Sequence, residues 1–148
     1  MTKINPVQII ALLLFYFSSI TCHAAQDGEE NSLVRKTRFE TATTLTLPEE
    51  ATVSYFSESR ESDLLIKAIM TMPYKVFNDW ITGFSLKPEH FEKEKRYHLG
   101  PVQDRWDPDS IESMKVAQVN FQNGMVLNIG NAMQTKESMI VYLVFHGK

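Results

Sequence analysis

The sequence predicts an α+β domain: an antiparallel sheet of about five strands in the order β-β-α-β-β-β, with one or two short helices on one face. Three observations carry this. Asn123-Gly124 lies between two apolar runs, a strong short-range sign of a hairpin. Asp63–Met72 is largely apolar on both of its period-two faces, as a strand inside a sheet is. Behind it, Val76, Phe77, Trp80, Ile81 and Phe84 fall on one helical stripe, so a helix follows that strand directly.

The chain opens with Lys3, the uncharged apolar run Val7–Ile20, and then Thr21-Cys22-His23-Ala24-Ala25. A positive start, an apolar core and a small-residue exit make residues 1–24 a signal peptide, with Cys22 and Ala24 at positions −3 and −1 of the cut. The run is shorter than the roughly 18–20 apolar residues of a membrane-spanning helix, so no transmembrane span is expected. Cys22 offers a second reading, a lipid anchor. That signal has Leu three residues before the cysteine and a small residue just before it, where this chain has Ser19 and Thr21, which disfavours the anchor. Cys22 is the single cysteine, so the cut leaves a domain without disulfides. There is also no Asn-x-Ser/Thr glycosylation site. Both absences point to export into a bacterial periplasm.

Residues 25–46 are expected to be a flexible leader or an edge segment, first polar (QDGEENSLVRK) and then rich in Thr (TRFETATTLTL). Leu47-Pro48 turns the chain into a single domain, 47–148. Thr52–Glu58 is a strand, with β-branched and aromatic residues, and Ser59–Ser62 is the turn into Asp63–Met72. Pro73 opens the helix, because a proline at the first helical position forfeits no hydrogen bond. Gly83 is placed to cap its end. A weaker helical piece begins near Pro88 and runs toward Glu94.

The last third is a meander of Ser113–Phe121, Met125–Ala132 and Ser138–His146. Parity decides its first loop. A three-residue loop of Gln122, Asn123 and Gly124 pairs Phe121 with Met125, Val119 with Leu127 and Ala117 with Ile129, all apolar. A two-residue loop sets Val119 against Asn128 instead, so the buried face selects three, with Gly124 left-handed at a bulge. The final strand is apolar on both faces and belongs in the interior, beside 63–72.

The formal net charge is −3, one unit more negative without Lys3. The most basic window holds Lys87, Lys93, Lys95, Arg96 and Arg105, but Glu89, Glu92, Glu94 and Asp104 nearly balance it. That is a solvated mixed-charge segment, so nucleic acid is not an expected partner. His90 and His98 stand at no recognised ligand spacing, and His146 lies at the end of the chain, so no metal site is assigned. Asp104, Asp107 and Asp109 lack the glycine and terminal Glu of a calcium loop. Asp107 before Pro108 reads better as the cap of a helical turn. No activated serine, nucleotide-binding or cofactor motif is present, and no catalytic residue or cofactor is assigned.

The two tryptophans differ in context. Trp80 belongs to the helix stripe and to the core. Trp106 sits among Asp104, Arg105, Asp107 and Pro108. There it either anchors a partner, with Arg105 and Tyr97 extending the surface, or folds over the sheet edge as a lid, which is the preferred reading. Leu47-Pro48, Met72-Pro73 with Phe77 and Trp80 behind it, and Trp106-Asp107-Pro108 come in an order that resembles small exported bacterial proteins and lipoproteins of unassigned function. The resemblance implies no activity, cofactor or residue role. Two functions then compete. One is a non-enzymatic exported protein that binds another envelope or secreted protein, for instance as an immunity or inhibitor protein. The other is a small periplasmic enzyme or ligand carrier with a site near His90, His98, Glu94 and Asp104–Asp109.

Overall fold

In the computed structural model, residues 31–147 are described. The expected signal peptide, residues 1–24, with its expected cut and Cys22, lies outside the described residues. The rest is an α+β fold. Helix α1 (Ser32–Thr43) leads into the hairpin β1 (Thr52–Ser59) and β2 (Leu64–Pro73), and α2 (Tyr74–Thr82) follows. Three short 3-10 segments, 88–90, 93–99 and 108–110, precede the meander β3 (Lys115–Asn120), β4 (Val126–Met133) and β5 (Ser138–Gly147). The strands lie in the order β1-β2-β5-β4-β3, every neighbour antiparallel.

The apolar runs find the places their patterns require. β2 and β5, apolar on both faces, are the inner strands and pair from Leu64↔Gly147 to Pro73↔Ser138. The β3–β4 register is Ala117↔Ile129 and Val119↔Leu127, the Phe121 N–H donates to the Met125 carbonyl at 2.8 Å, and Gly124 has φ 82°. The three-residue loop therefore holds. A register that puts each apolar residue on its partner leaves the glycine to take the left-handed turn.

One sheet face is covered by both helices. Ile66, Ala68 and Met70 of β2, Val141 and Leu143 of β5, and Leu127 and Ile129 of β4 pack there against Phe39, Phe77 and Ile81. Of the α2 stripe, Phe77 and Ile81 are fully inside while Val76, Trp80 and Phe84 form the rim. Trp80 is thus half-buried at the edge of the core, not at its centre. Pro73 ends β2 and sits just before α2, and Gly83 caps the end of that helix as expected, in a right-handed conformation, with a left-handed residue following at Ser85.

The stretch expected as a leader or edge strand is corrected to helix α1. Asn31 caps it, its side-chain oxygen accepting the Val34 N–H at 3.0 Å. Its threonines, which favour strands when unpartnered, spend their hydroxyls on the preceding turn: Thr37 donates to the Leu33 carbonyl at 3.0 Å and Thr43 to the Phe39 carbonyl at 2.8 Å. Tertiary bonds complete the change. Ser32 Oγ accepts the Val53 N–H at 2.7 Å, Glu40 Oε1 accepts the Leu47 N–H at 2.8 Å, and Phe39 is fully buried. Helix α1 therefore covers backbone that the outer strand β1 would otherwise leave unpaired.

The chain after α2 wraps around the β3 edge. Phe91 packs with the helix-side core, Glu92 exchanges two backbone hydrogen bonds with Val116, and Leu99 arrives on the opposite sheet face. Residues 93–114 form a partial cover there. Its inner surface is Leu99, Trp106 and Met114.

Candidate functional site

The cover reaches only part of its sheet face, and cross-strand rows show where it stops. The row Tyr55, Ile69, Tyr142, Gly130, Val116 runs across all five strands and lies under the cover. A β-carbon on Gly130 would lie 2.7 Å from Leu99 Cδ1 and 3.0 Å from Met114 Sδ, so the missing side chain is what lets the cover seat. The next row is Ser57, Lys67, Val144, Asn128, Gln118. The last is Ser59, Leu65, His146, Val126, Asn120. The last row is the open end of the face, the middle row is closed over at its centre, where Lys67, Val144 and Asn128 are buried, and the two rows together are the candidate site.

The middle row is polar at four of its five positions, and three of those side chains, Lys67, Asn128 and Gln118, are hydrogen-bonded. Gln118 Nε2 donates to Asn128 Oδ1 at 2.8 Å, and Asn128 Nδ2 lies 3.3 Å from His146 Nε2. With the amide oriented this way, Asn128 Nδ2 donates and His146 Nε2 is the acceptor. Asn128 is only 1 % exposed. His146, two residues from the chain end, is nevertheless fixed, because β5 is the central strand and pairs it with both Leu65 and Val126. Beyond it lies an open hollow of about 460 Å³ lined by Asp63, Asn123, Gly124, Val126, His146 and Gly147.

Lys67 is the unusual member. It is 5 % exposed, on an inner strand, and faces aromatic rings. Its Nζ donates to Gln103 Oε1 at 2.9 Å and lies 5.1 Å from the centre of the Trp106 ring. No carboxylate reaches the ammonium; among the described residues its polar partner is a neutral amide. Burial pushes the ammonium below the usual lysine value. Nearby, burial raises the Tyr142 phenol and the Asp107 carboxylate adds to that.

Trp106 pins the cover. It is 0 % exposed, its Nε1–H donates to the Leu99 carbonyl at 3.1 Å, and its ring meets Tyr142 edge-on at 5.0 Å and Tyr55 at 5.9 Å. As a surface anchor it is corrected: an enclosed indole offers a partner nothing. Its neighbour Arg105 is exposed with φ 59°, at the tip of a tight turn in which Gln103 and Trp106 exchange both backbone bonds at 2.9 Å. That turn sends Trp106 inward and sets Gln103 over Lys67. Tyr97 is 73 % exposed and lies against His98 at 4.1 Å between ring centres. Among the described residues no hydrogen bond or ring contact joins Tyr97 to Arg105. Arg96, which sequence reasoning passed over, clamps the cover from inside: its Nη2 donates to the Ile111 and Glu112 carbonyls at 3.0 and 2.9 Å.

The histidines and aspartates of the enzyme reading are engaged locally. His90 Nδ1 accepts the Lys87 N–H at 3.1 Å, and Asp107 Oδ1 accepts the Ser110 N–H at 3.0 Å, as a cap before Pro108 should. Among the described residues no three His, Cys, Asp or Glu side chains converge as a metal site requires. No helix among them is long and apolar enough to cross a membrane. Comparison of the chain with protein-family models, with curated proteins and with solved structures found no match, so the likeness to small exported bacterial proteins rests on its residues alone.

Proposed function

We propose that this chain is an exported, non-enzymatic binding protein that engages another envelope or secreted protein through the open end of its sheet, acting as an immunity or inhibitor protein toward a toxin or hydrolase. The observation that carries this reading is the last cross-strand row. Leu65 is 36 % exposed and Val126 half-buried on a sheet whose opposite face carries the helix-side core. An open antiparallel face normally turns polar residues to water. Here apolar side chains stand beside His146 over a row of held amides, a mixed surface of the sort partners cover.

The size of the face constrains the partner. Five strands at ~4.8 Å spacing and two rows ~7 Å apart make a patch on the order of 300 Å². A standard interface covers about 800 Å² per partner. A flat subunit contact therefore does not fit on the face alone. A protruding loop does, with the cover turn at Asp104 and Arg105 as rim.

The test is co-purification of the tagged mature protein from an envelope extract, beside Leu65→Glu and Val126→Glu. Both substitutions are at exposed or half-exposed positions, and circular dichroism checks that the fold is kept. A partner recovered by wild type and lost by both variants supports the reading. Equal recovery by all three proteins, or no specific partner at all, contradicts it.

A further inference from the structure

Protein interiors hold a charged group only with a partner of opposite sign or a full set of hydrogen bonds. Lys67 has neither. Its ammonium has three donors. One goes to Gln103 Oε1, and among the described residues the Trp106 ring is the other group that faces the charge. Of the ten residues in the two rows, Lys67 is the only Lys, Arg, Asp or Glu. A leucine or methionine would fill the same inner-strand position without that cost. Residues that break a local rule in an otherwise consistent fold mark functional places.

We propose that Lys67 is a receptor for a carboxylate, and that the occupant of the open sheet end is an acidic loop of the partner protein, whose Asp or Glu side chain replaces the Gln103 amide oxygen at Lys67 Nζ. This rests on the docking reading above and names the chemistry of its centre. Charge complementarity selects the occupant, since Lys67 is the one charged side chain within the two rows and Asp63 stands only at their far edge, beyond His146. Access follows from the lid. Gln103 is exposed, on a surface turn, so its side chain can leave Lys67 without disturbing the sheet. In Lys67's own row the half-buried Ser57 and Gln118 supply neutral donors and acceptors to receive the backbone of such a loop. A charged pair formed there is shielded from water by Trp106, Val144 and the cover, which strengthens it over an exposed ion pair.

The geometry also provides its own control. Gln103→Glu places a carboxylate where the partner's would go and should fill the site from within.

The experiment titrates the mature protein with a hexaglutamate peptide, and separately with hexaglutamine, following the two indole N–H signals by NMR. Trp106 lies against Lys67 and reports; Trp80, across the sheet, is the internal control. The expected result is a saturable shift of the Trp106 signal with hexaglutamate only, at least tenfold weaker in Lys67→Met and in Gln103→Glu, while Gln103→Ala still binds. If both peptides shift the backbone signals of Leu65 and Val126 equally, and do so in Lys67→Met as well, docking stands and carboxylate recognition is overturned. If neither peptide shifts any signal and Gln103→Glu only stabilises the fold, Lys67 merely fastens the turn to the sheet, and the proposal is overturned. Co-purification then judges the docking reading separately.

Discussion

Replacing each tryptophan by phenylalanine separates the part of the fold that is pinned from the part that is only covered. In Trp106→Phe, the Leu99 carbonyl loses the donor that now lies 3.1 Å away, in a place water does not reach. An orphaned buried acceptor costs about 1–3 kcal/mol. The smaller ring leaves about 40 Å³ unfilled, worth about 1 kcal/mol at the cavity cost of ~24 cal/mol per Å³. Together these give a loss of about 2–4 kcal/mol. Trp80 makes a bond of the same length, from Nε1 to the Thr46 carbonyl, but at the exposed rim of the core. Water replaces that donor, so Trp80→Phe should cost about 0.5–1 kcal/mol. Urea unfolding followed by far-ultraviolet circular dichroism measures both, and an unchanged m-value shows that the cover and the sheet still unfold together. Equal losses for the two variants, or the larger loss at Trp80, would refute the reasoning, because the cover would then not hang on its buried hydrogen bond.

Three more expectations use the same assay. Phe39→Ala should lose about 3–5 kcal/mol, because Phe39 is fully buried against the sheet; a loss under 1 kcal/mol would return α1 to the status of a leader. Gly130→Ala drives a methyl group into Leu99 and Met114 and should cost about 1–3 kcal/mol, with part of the loss recovered on adding Leu99→Ala, since the clash is with flexible side-chain ends. Lys67→Met should be at least as stable as wild type near neutral pH, and its advantage should shrink as pH rises toward 10.5. The folded lysine titrates below its unfolded value, so across that window the unfolded chain binds more protons and wild-type stability climbs. Tyr142 works in the opposite sense. Its phenol is raised above 10.0, so its contribution is complete below pH 10.0 and is lost as pH rises through the folded value in both proteins, leaving their difference unaffected.

The strands were legible because their signals are local or set by parity. Ala117, Val119 and Phe121 can face Ile129, Leu127 and Met125 only in one register, and two strands apolar on both faces can sit only inside the sheet. Helix α1 was not legible. Its Thr37 and Thr43 read as strand residues until their hydroxyls find the carbonyls of the preceding turn, and Phe39 is its only fully enclosed large apolar side chain. One visible sign was Asn31, a capping residue directly before the helix. The site was less legible still. Trp106 and Arg105 looked alike in their polar surroundings, yet a tight turn sends one into the core and leaves the other in water. Lys67 was visible as a charged residue in an apolar strand. What makes it a candidate is that no carboxylate among the described residues pairs with it. That depends on Gln103, 36 positions away in the sequence, arriving over its ammonium. His146 was discounted for lying near the chain end, although pairing on both sides holds the last strand as firmly as any other.

The central claim is that Lys67 carries a charge which the folded chain leaves uncompensated and a partner's carboxylate completes. The most direct measurement is the pH titration of the Lys67 side chain by carbon-13 NMR, with and without hexaglutamate. The expected midpoint lies below 10.5 for the free protein and moves up when the peptide is present. A midpoint at or above 10.5 in the free protein would contradict the claim, because the ammonium would already have its counter-charge within the fold.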